Sequence, residues 1–336
     1  MDFKDFTAGP DDNGRRIDKI CRIFLCDTPL TEIYKLLRKG LIKLNHKKAK
    51  PEDRVSQGDV ISIAEFLLNN QINKQIKKQI NKVENVQDKA FAKASDLQIV
   101  FENEHLLIID KPYDRTVHGK ADGLYEDVQE YLSAKSNDKV SNSLSFRPGP
   151  LHRLDRRTTG LLVFSKSLEG ARWFSESIKN HTIKKKYIGL AEGKLTKSEL
   201  WQDKLAAAEQ NKELNNEKAF YTVEENEEGL TAQTQATPLA YGKLNSKPVT
   251  LVEYSIKTGR KHQIRLPSSL HKHPLAGDTA YGGSKIKEAE REFYLQAYSL
   301  KFPSDNPLGL PEEVKIGYSS DFIRILQYCE IEKPGL

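Results

Sequence analysis

The chain is 336 residues long, 38% hydrophobic and 30% charged, with a formal net charge of +6. That length holds one large domain and a smaller one, each with its own core, and no apolar run approaches the ~20 residues of a membrane span. Three cysteines without a Cys-x-x-Cys pair indicate neither a disulfide framework nor a zinc knuckle, and the mixed start Met1 to Phe6 is no secretory signal, so a reducing cytoplasm is the expected home.

The positive excess is confined to the first 95 residues. Residues 13–66 carry 12 Lys and Arg against 7 Asp and Glu, and residues 67–95 carry 6 against 2. A basic arm of this kind attracts phosphate backbones without reading sequence. Within residues 16–40, Ile17, Ile20, Phe24 and Leu25 recur at helical spacing, Asp27-Thr28-Pro29 interrupts, and Ile33, Leu36 and Leu37 form a second stripe ending at Gly40. Short strands are expected at Leu41 to Leu44 and Val60 to Ile63, with turns at Asn45-His46 and Gln57-Gly58-Asp59. Lys35, Arg38 and Lys39 share a helix end that can face phosphates while the leucines face the core. A solvated basic helix face is the plainer reading of the same charges.

Residues 67–95 read as a polar, basic linker. Ile72, Ile76, Ile80 and Val83 allow a marginal amphipathic helix, though the composition favours a solvated tether. From Asp96 the texture becomes strand-rich. A hairpin is expected at 99–102 and 106–109, a strand at Leu161 to Phe164, and a helix with Leu168, Ala171, Phe174 and Ile178 on one face. Further strands follow at 183–190 and 249–256. This order fits an α+β domain with a mixed or antiparallel central sheet over 96–330, preceded by a small α/β domain over 13–66.

Four polar segments interrupt that pattern. Lys111-Pro112-Tyr113-Asp114-Arg115-Thr116-Val117-His118-Gly119 follows a strand. Leu151-His152-Arg153-Leu154-Asp155-Arg156-Arg157-Thr158-Thr159-Gly160 sets one carboxylate among three arginines. On spacing alone such an acid reads first as a salt-bridged surface residue or a turn cap. Lys184-Lys185-Lys186-Tyr187 puts three lysines ahead of a strand tyrosine. Gly259-Arg260-Lys261-His262-Gln263-Ile264-Arg265-Leu266 is followed by Pro267, which is tolerable only in a first helical turn, so a helix should start near Ile264. His271 and His273, in His271-Lys272-His273-Pro274-Leu275-Ala276-Gly277-Asp278, lack Cys or acidic partners at ligand spacing, so a structural turn is expected there and no metal.

These segments, in this order, resemble the motifs of the RluA-type pseudouridine synthases: Lys-Pro-x-Gly-x-x-Val-His, His-Arg-Leu-Asp-x-x-Thr-Ser-Gly, a basic strand with Tyr, and Gly-Arg-x-His-Gln-Ile-Arg. Asp114 stands where Gly is usual and Pro267 where His is common. Residues 16–59 resemble the alpha-L RNA-binding module, with Thr31-Glu32 and His46 as departures. The resemblance implies an RNA isomerase in which Asp155 is the catalytic carboxylate and Tyr187 stacks on the flipped uracil and helps remove the C5 proton. It also implies that Arg265 pairs with Asp155, holding it through two parallel hydrogen bonds and lowering its pKa. Arg153 is expected to fill the space left by the flipped base, and His152 and Leu266 to contact substrate. Arg16, Lys35, Arg38 and Lys39 are expected to bind RNA. The reaction is redox-neutral and calls for no cofactor. The implied substrate is 23S rRNA of the large ribosomal subunit, acted on by a monomer. The alternatives are a tRNA-modifying relative or a non-catalytic assembly factor.

Overall fold

The computed structural model describes residues 2–25, 28–68, 97–118, 123–135, 143–144, 146–207, 223–286, 291–332 and 334–335. The tether with Ile72 to Val83 lies outside the described residues. The chain forms two compact units, one of residues 1–96 with 127–149 and 166–169, the other of the remainder.

The first unit contains β1 (Phe3–Thr7), β2 (Arg15–Arg16), α1 (Ile17–Phe24), α2 (Leu30–Lys39), β3 (Ile42–Leu44), β4 (Lys47–Lys48), β5 (Arg54–Val55) and β6 (Val60–Ala64). The sheet order is β1-β6-β3-β4, with β2 and β5 paired separately. The two helical stripes meet as expected: Ile17, Ile20, Cys21, Leu25, Ile33 and Leu37 are buried together with Ile42, Ile61 and Ile63. Gly40 closes α2 in the left-handed conformation, φ 72°, its N–H donating to Leu36 and Leu37 carbonyls, as a helix C-terminus requires. The β3–β4 hairpin turns through Asn45 and His46, both at positive φ, a geometry in which Asn and His are enriched among non-glycine residues. The unit also takes in most of α3 (Leu124–Lys135) and the segment after it. Buried Asp12 receives the Leu144 and Gly9 amides and the Ser143 hydroxyl.

The second unit is built on one sheet. Its strands are β7 (Ile99–Glu102), β8 (Leu106–Lys111), β9 (Gly149–Pro150), β10 (Thr159–Ser165), β11 (Lys184–Glu192), β12 (Glu199–Ala207), β13 (Val223–Glu225), β14 (Leu230–Leu244), β15 (Lys247–Ile256), β16 (Leu295–Lys301) and β17 (Glu313–Lys315). The order is β13-β12-β14-β15-β11-β16-β10-β8-β7. β10 and β16 run parallel, whereas β8, β11, β14 and β15 pair antiparallel with their neighbours. The expected α+β class with a mixed sheet is what the chain adopts. Alternation along each strand fills two cores. Phe174 of α4 (Leu168–Lys179) packs with Leu106, Ile108, Leu161 and Val163. Phe322, Ile325 and Leu326 of α6 (Ser320–Tyr328) pack with Ile188, Leu190, Val249 and Leu251. Between these helices in the chain comes the short α5 (Arg265–Leu270), which begins where Pro267 required it to.

The parallel contact depends on Gly160. Its φ is 108°, and a Cβ there would stand 2.1 Å from the Ala297 carbonyl oxygen. Glycine alone lets β10 approach β16 this closely immediately after the Asp155 loop.

Candidate active site

The Asp155 loop is fixed from both ends. The Leu151 amide donates to the Val163 carbonyl, and the Val163 amide donates to His152 Nε2 at 3.2 Å. An accepting Nε2 puts the proton of His152 on Nδ1. Burial pushes this imidazole down to about 3, so it stays neutral, and it stacks on Phe174. Lys111, fully buried at the end of β8, donates from Nζ to the Pro112 and Arg156 carbonyls at 2.9 and 2.8 Å. Burial lowers its pKa to about 7. Asp114 has φ 61°, the left-handed conformation that glycine takes freely. Its carboxylate receives Arg156 Nη2 at 2.9 Å. The unusual residue therefore keeps the glycine-type turn and adds a tie to the loop.

The segment 258–264 is stapled by the glutamine of the Gly-Arg-x-His-Gln-Ile-Arg pattern, to which the sequence alone assigned no role. Gln263 is buried, accepting from the Arg260 amide and the Thr258 hydroxyl and donating to the Gln233 carbonyl. Three segments then surround a cleft of about 270 Å³ lined by His152, Arg153, Asp155, Lys185, Tyr187 and residues 259–265. A bulge between Lys186 and Tyr187 sits in the β11–β16 ladder, the kind of irregularity that re-aims a side chain. Lys185 and Tyr187 face the cleft, while Lys186 pairs with Glu253 at 2.9 Å. Burial and the nearby Asp155 carboxylate raise the Tyr187 pKa. Tyr187 is therefore a protonated phenol and a donor at neutral pH. The base role implied by the resemblance would require that proton to leave first.

Asp155 keeps 21% of its side-chain surface open. Arg265 Nη1 lies 3.8 Å from Asp155 Oδ2, and His262 Nε2 lies 3.8 Å from Oδ1. The expectation of two parallel hydrogen bonds between Arg265 and Asp155 is corrected here. That fork goes to Asp278, through Nε and Nη2, both at 2.7 Å. The guanidinium also lies over the Tyr281 and Phe293 rings. The expected direction of the Asp155 shift is corrected as well. Burial raises its pKa despite opposition from Arg265, Arg153, Lys261 and Lys111. The physical reason is that Arg265 stands off at 3.8 Å with its charge already matched by Asp278, so desolvation prevails.

Leu266 does not line the cleft; it packs with Leu205, Val223, Ala232 and Tyr281 in a small core. Arg153 is exposed on the cleft wall. His271 bonds Asp203 and stacks on Trp201, while His273 bonds the Glu192 carbonyl, so the two histidines serve separate partners. In the first unit Lys35, Arg38 and Lys39 are exposed on α2. Arg16 is forked onto Asp18, which also receives the Tyr34 hydroxyl.

Comparison with known proteins accords with this geometry. Residues 105–269 match the RNA pseudouridylate synthase family and residues 15–61 match the S4 domain. A ribosomal large subunit pseudouridine synthase C of Haemophilus influenzae is 30% identical over 310 residues, spanning 89% of this chain and 87% of that protein. The chain belongs to the RNA pseudouridylate synthase family. This synthase is also 29% identical over 303 residues to the Escherichia coli K12 protein of the same description, covering 87% and 86% of the two chains. The solved human RNA Pseudouridylate Synthase Domain Containing 4 superposes with a TM-score of 0.56 at 20% identity, covering 72% of this chain and 97% of that one, and so shares the fold. The family makes this an isomerase acting on RNA. Among the described residues no helix is long and apolar enough to cross a membrane.

Proposed function

We propose that this synthase converts uridines of 23S rRNA to pseudouridine, breaking the C1′–N1 bond and rejoining the base through C5, with Asp155 as the catalytic carboxylate. One observation carries the reading. Asp155 stands in a cleft with one oxygen facing Arg265 and the other facing His262, each held by groups behind it. The substrate assignment is supported by relatives described as ribosomal large subunit synthases that align with nearly the whole chain. A uridine stacked in RNA cannot enter a cleft of this size, so the nucleotide is flipped out. Arg153, exposed on the wall, is suited to fill the vacated stack. His152 shapes the floor from behind the loop, and Tyr187 forms the opposite side against the base. Asp155 attacks C1′ or removes the C2′ proton, and either step uses the ionised carboxylate.

Lys35, Arg38 and Lys39 supply backbone contacts from the first unit, and Arg16 acts there chiefly by ordering Asp18 and Tyr34. The reading extends to a cytoplasmic monomer. Cys21 and Cys329 are buried thiols that burial pushes to about 12 and about 11, which suits unreactive core residues. The test is release of tritium from transcribed 23S rRNA and from tRNA, each labelled at uridine C5. Release from 23S rRNA by the native chain and none by Asp155→Ala supports the reading. Release from tRNA alone replaces the substrate, and release by Asp155→Ala removes Asp155 from the chemistry.

A further inference from the structure

His262 is the least explained group in the cleft. It adopts φ 52°, in the left-handed region, between Lys261 and the Gln263 staple. Its ring meets Tyr281 edge-on, with centroids 5.5 Å apart, and its Nδ1 is hydrogen-bonded to the Tyr281 hydroxyl. That hydroxyl already accepts from the buried Val223 amide at 2.9 Å. The other ring nitrogen, Nε2, points to Asp155 Oδ1. The charged and titratable groups around this pair are Arg265, Lys261, Arg153 and Asp278 on the imidazole side and Lys111 and Tyr187 on the carboxylate side. Burial and the neighbouring cations push His262 down to about 3, so the ring is neutral across the working pH range.

A neutral imidazole has two tautomers, and the surroundings favour one. With the proton on Nδ1, the ring would donate to Tyr281, the tyrosine proton would be left without this acceptor, and the Nε2 lone pair would face a carboxylate. With the proton on Nε2, Tyr281 accepts from Val223 and donates to Nδ1, and an N–H faces Asp155. The second arrangement satisfies the Val223 amide and the Tyr281 hydroxyl, and it turns an N–H rather than a lone pair toward the carboxylate.

We propose that Tyr281 holds His262 as the neutral imidazole with its proton on Nε2, and that this N–H orients Asp155 when RNA fills the cleft. The proposal rests on Asp155 being the catalytic carboxylate. His262 acts through Asp155, and Tyr281 acts through His262, so both are positioning residues. At 3.8 Å the N–H stands just beyond hydrogen-bond reach, and catalytic contacts of this length tighten in the substrate complex. A neutral donor aligns the carboxylate without cancelling its charge, whereas an imidazolium would form an ion pair and blunt its reactivity. Arg265 and His262 thus set the two oxygens separately, one by charge and one by hydrogen bond.

The experiment measures kcat, KM and the pH dependence of kcat for the full chain on tritium-labelled 23S rRNA. The variants are His262→Ala, His262→Gln and Tyr281→Phe, with thermal melts to verify folding and Asp155→Ala as the reference. A hydrogen bond to a charged group corresponds to a loss of about 10- to 100-fold, expected in kcat and not in KM for His262→Ala. Its acid limb should move to higher pH, because the ionised carboxylate loses a donor. His262→Gln, whose amide nitrogen can stand where Nε2 stands, should recover most of the rate. Tyr281→Phe, which keeps the ring and frees the tautomer, should lose less than His262→Ala. A loss confined to KM, an unmoved acid limb, or a glutamine no better than alanine would overturn the proposal while leaving Asp155 in place. Turnover that survives Asp155→Ala would overturn both readings together.

Discussion

Arg265 and Asp278 form a buried, two-pronged ion pair, 2.7 Å on both prongs, and this pair places the cation beside Asp155. Arg265 starts α5 and Asp278 lies in the turn that follows that helix. The pair therefore closes a short stretch of chain on itself and aims the remaining guanidinium nitrogen into the cleft. Geometry of this kind favours arginine over lysine, because only a planar fork can bind one carboxylate with two prongs and still present a third donor to another.

Asp278→Asn should lose both stability and turnover. Removing one partner leaves Arg265 buried without its counter-charge, a change that costs about 3–5 kcal/mol in comparable pairs. Denaturant melts should show that loss, and kcat should fall because Nη1 is no longer aimed. Unchanged stability would mean that the fork contributes little to the fold.

Asp155→Asn should be inactive yet more stable than the native chain at neutral pH. The folded-state pKa of Asp155 is raised by burial, so the folded protein binds a proton more readily than the unfolded chain. Stability from this group is present at acid pH and falls as pH rises through the window above 3.8, by linkage. The amide removes that penalty. Melting temperatures measured across pH should separate the two proteins above the window and bring them together below it. For the same reason the native enzyme should lose activity on acidification with an apparent pKa above that of an ordinary aspartate.

Lys111→Met should flatten stability on the alkaline side. The folded pKa of Lys111 is lowered to about 7 from 10.5, so between those values the unfolded chain binds the extra proton. The native protein should then gain stability as pH rises from 7 toward 10, relative to the methionine variant. Two parallel melting curves over that range would contradict the assignment.

Replacing Lys35, Arg38 and Lys39 together by glutamine should weaken RNA binding and leave the single-turnover rate at saturating RNA unchanged. Each phosphate that a side chain neutralises adds about 0.7–0.9 to the salt slope of log affinity. Removing all three cations should therefore make the slope shallower by roughly 2–3. A slope equal to that of the native chain would place the RNA elsewhere.

The helices of the first unit were legible because Ile17, Ile20, Ile33 and Leu37 repeat with the helix period, and that period alone specifies a buried stripe. Asp155, Tyr187 and Arg265 were legible through their motifs, and all three line one cleft. What stayed hidden depends on distance along the chain. The fork between Arg265 and Asp278, the bond between His262 and Tyr281, and the Val223 amide behind them join ordinary residue types over spans that no local pattern marks. Leu266 shows the converse: its place beside Arg265 in the sequence suggested a contact with substrate, but a helix turns successive side chains about 100° apart, which sends Leu266 into the core. The upward shift of Asp155 followed from desolvation, which a tally of neighbouring charges does not contain.

The first unit is assembled from residues 1–96, 127–149 and 166–169, with Asp12 taking the Ser143 hydroxyl and the Leu144 amide and Asp11 taking the Leu168 amide. A ribosome translating this chain must therefore pass residue 169 before the unit has all of its parts. Until residue 144 is made, Asp12 lacks the Ser143 and Leu144 donors, and until residue 168 is made, Asp11 lacks its amide. A cut after residue 95 would therefore keep the buried core of residues 8–63 but remove the donors that Asp11 and Asp12 accept from later in the chain. The order of synthesis thus supplies the core first and these polar ties last, and a nascent polypeptide stalled before residue 143 carries both carboxylates without them.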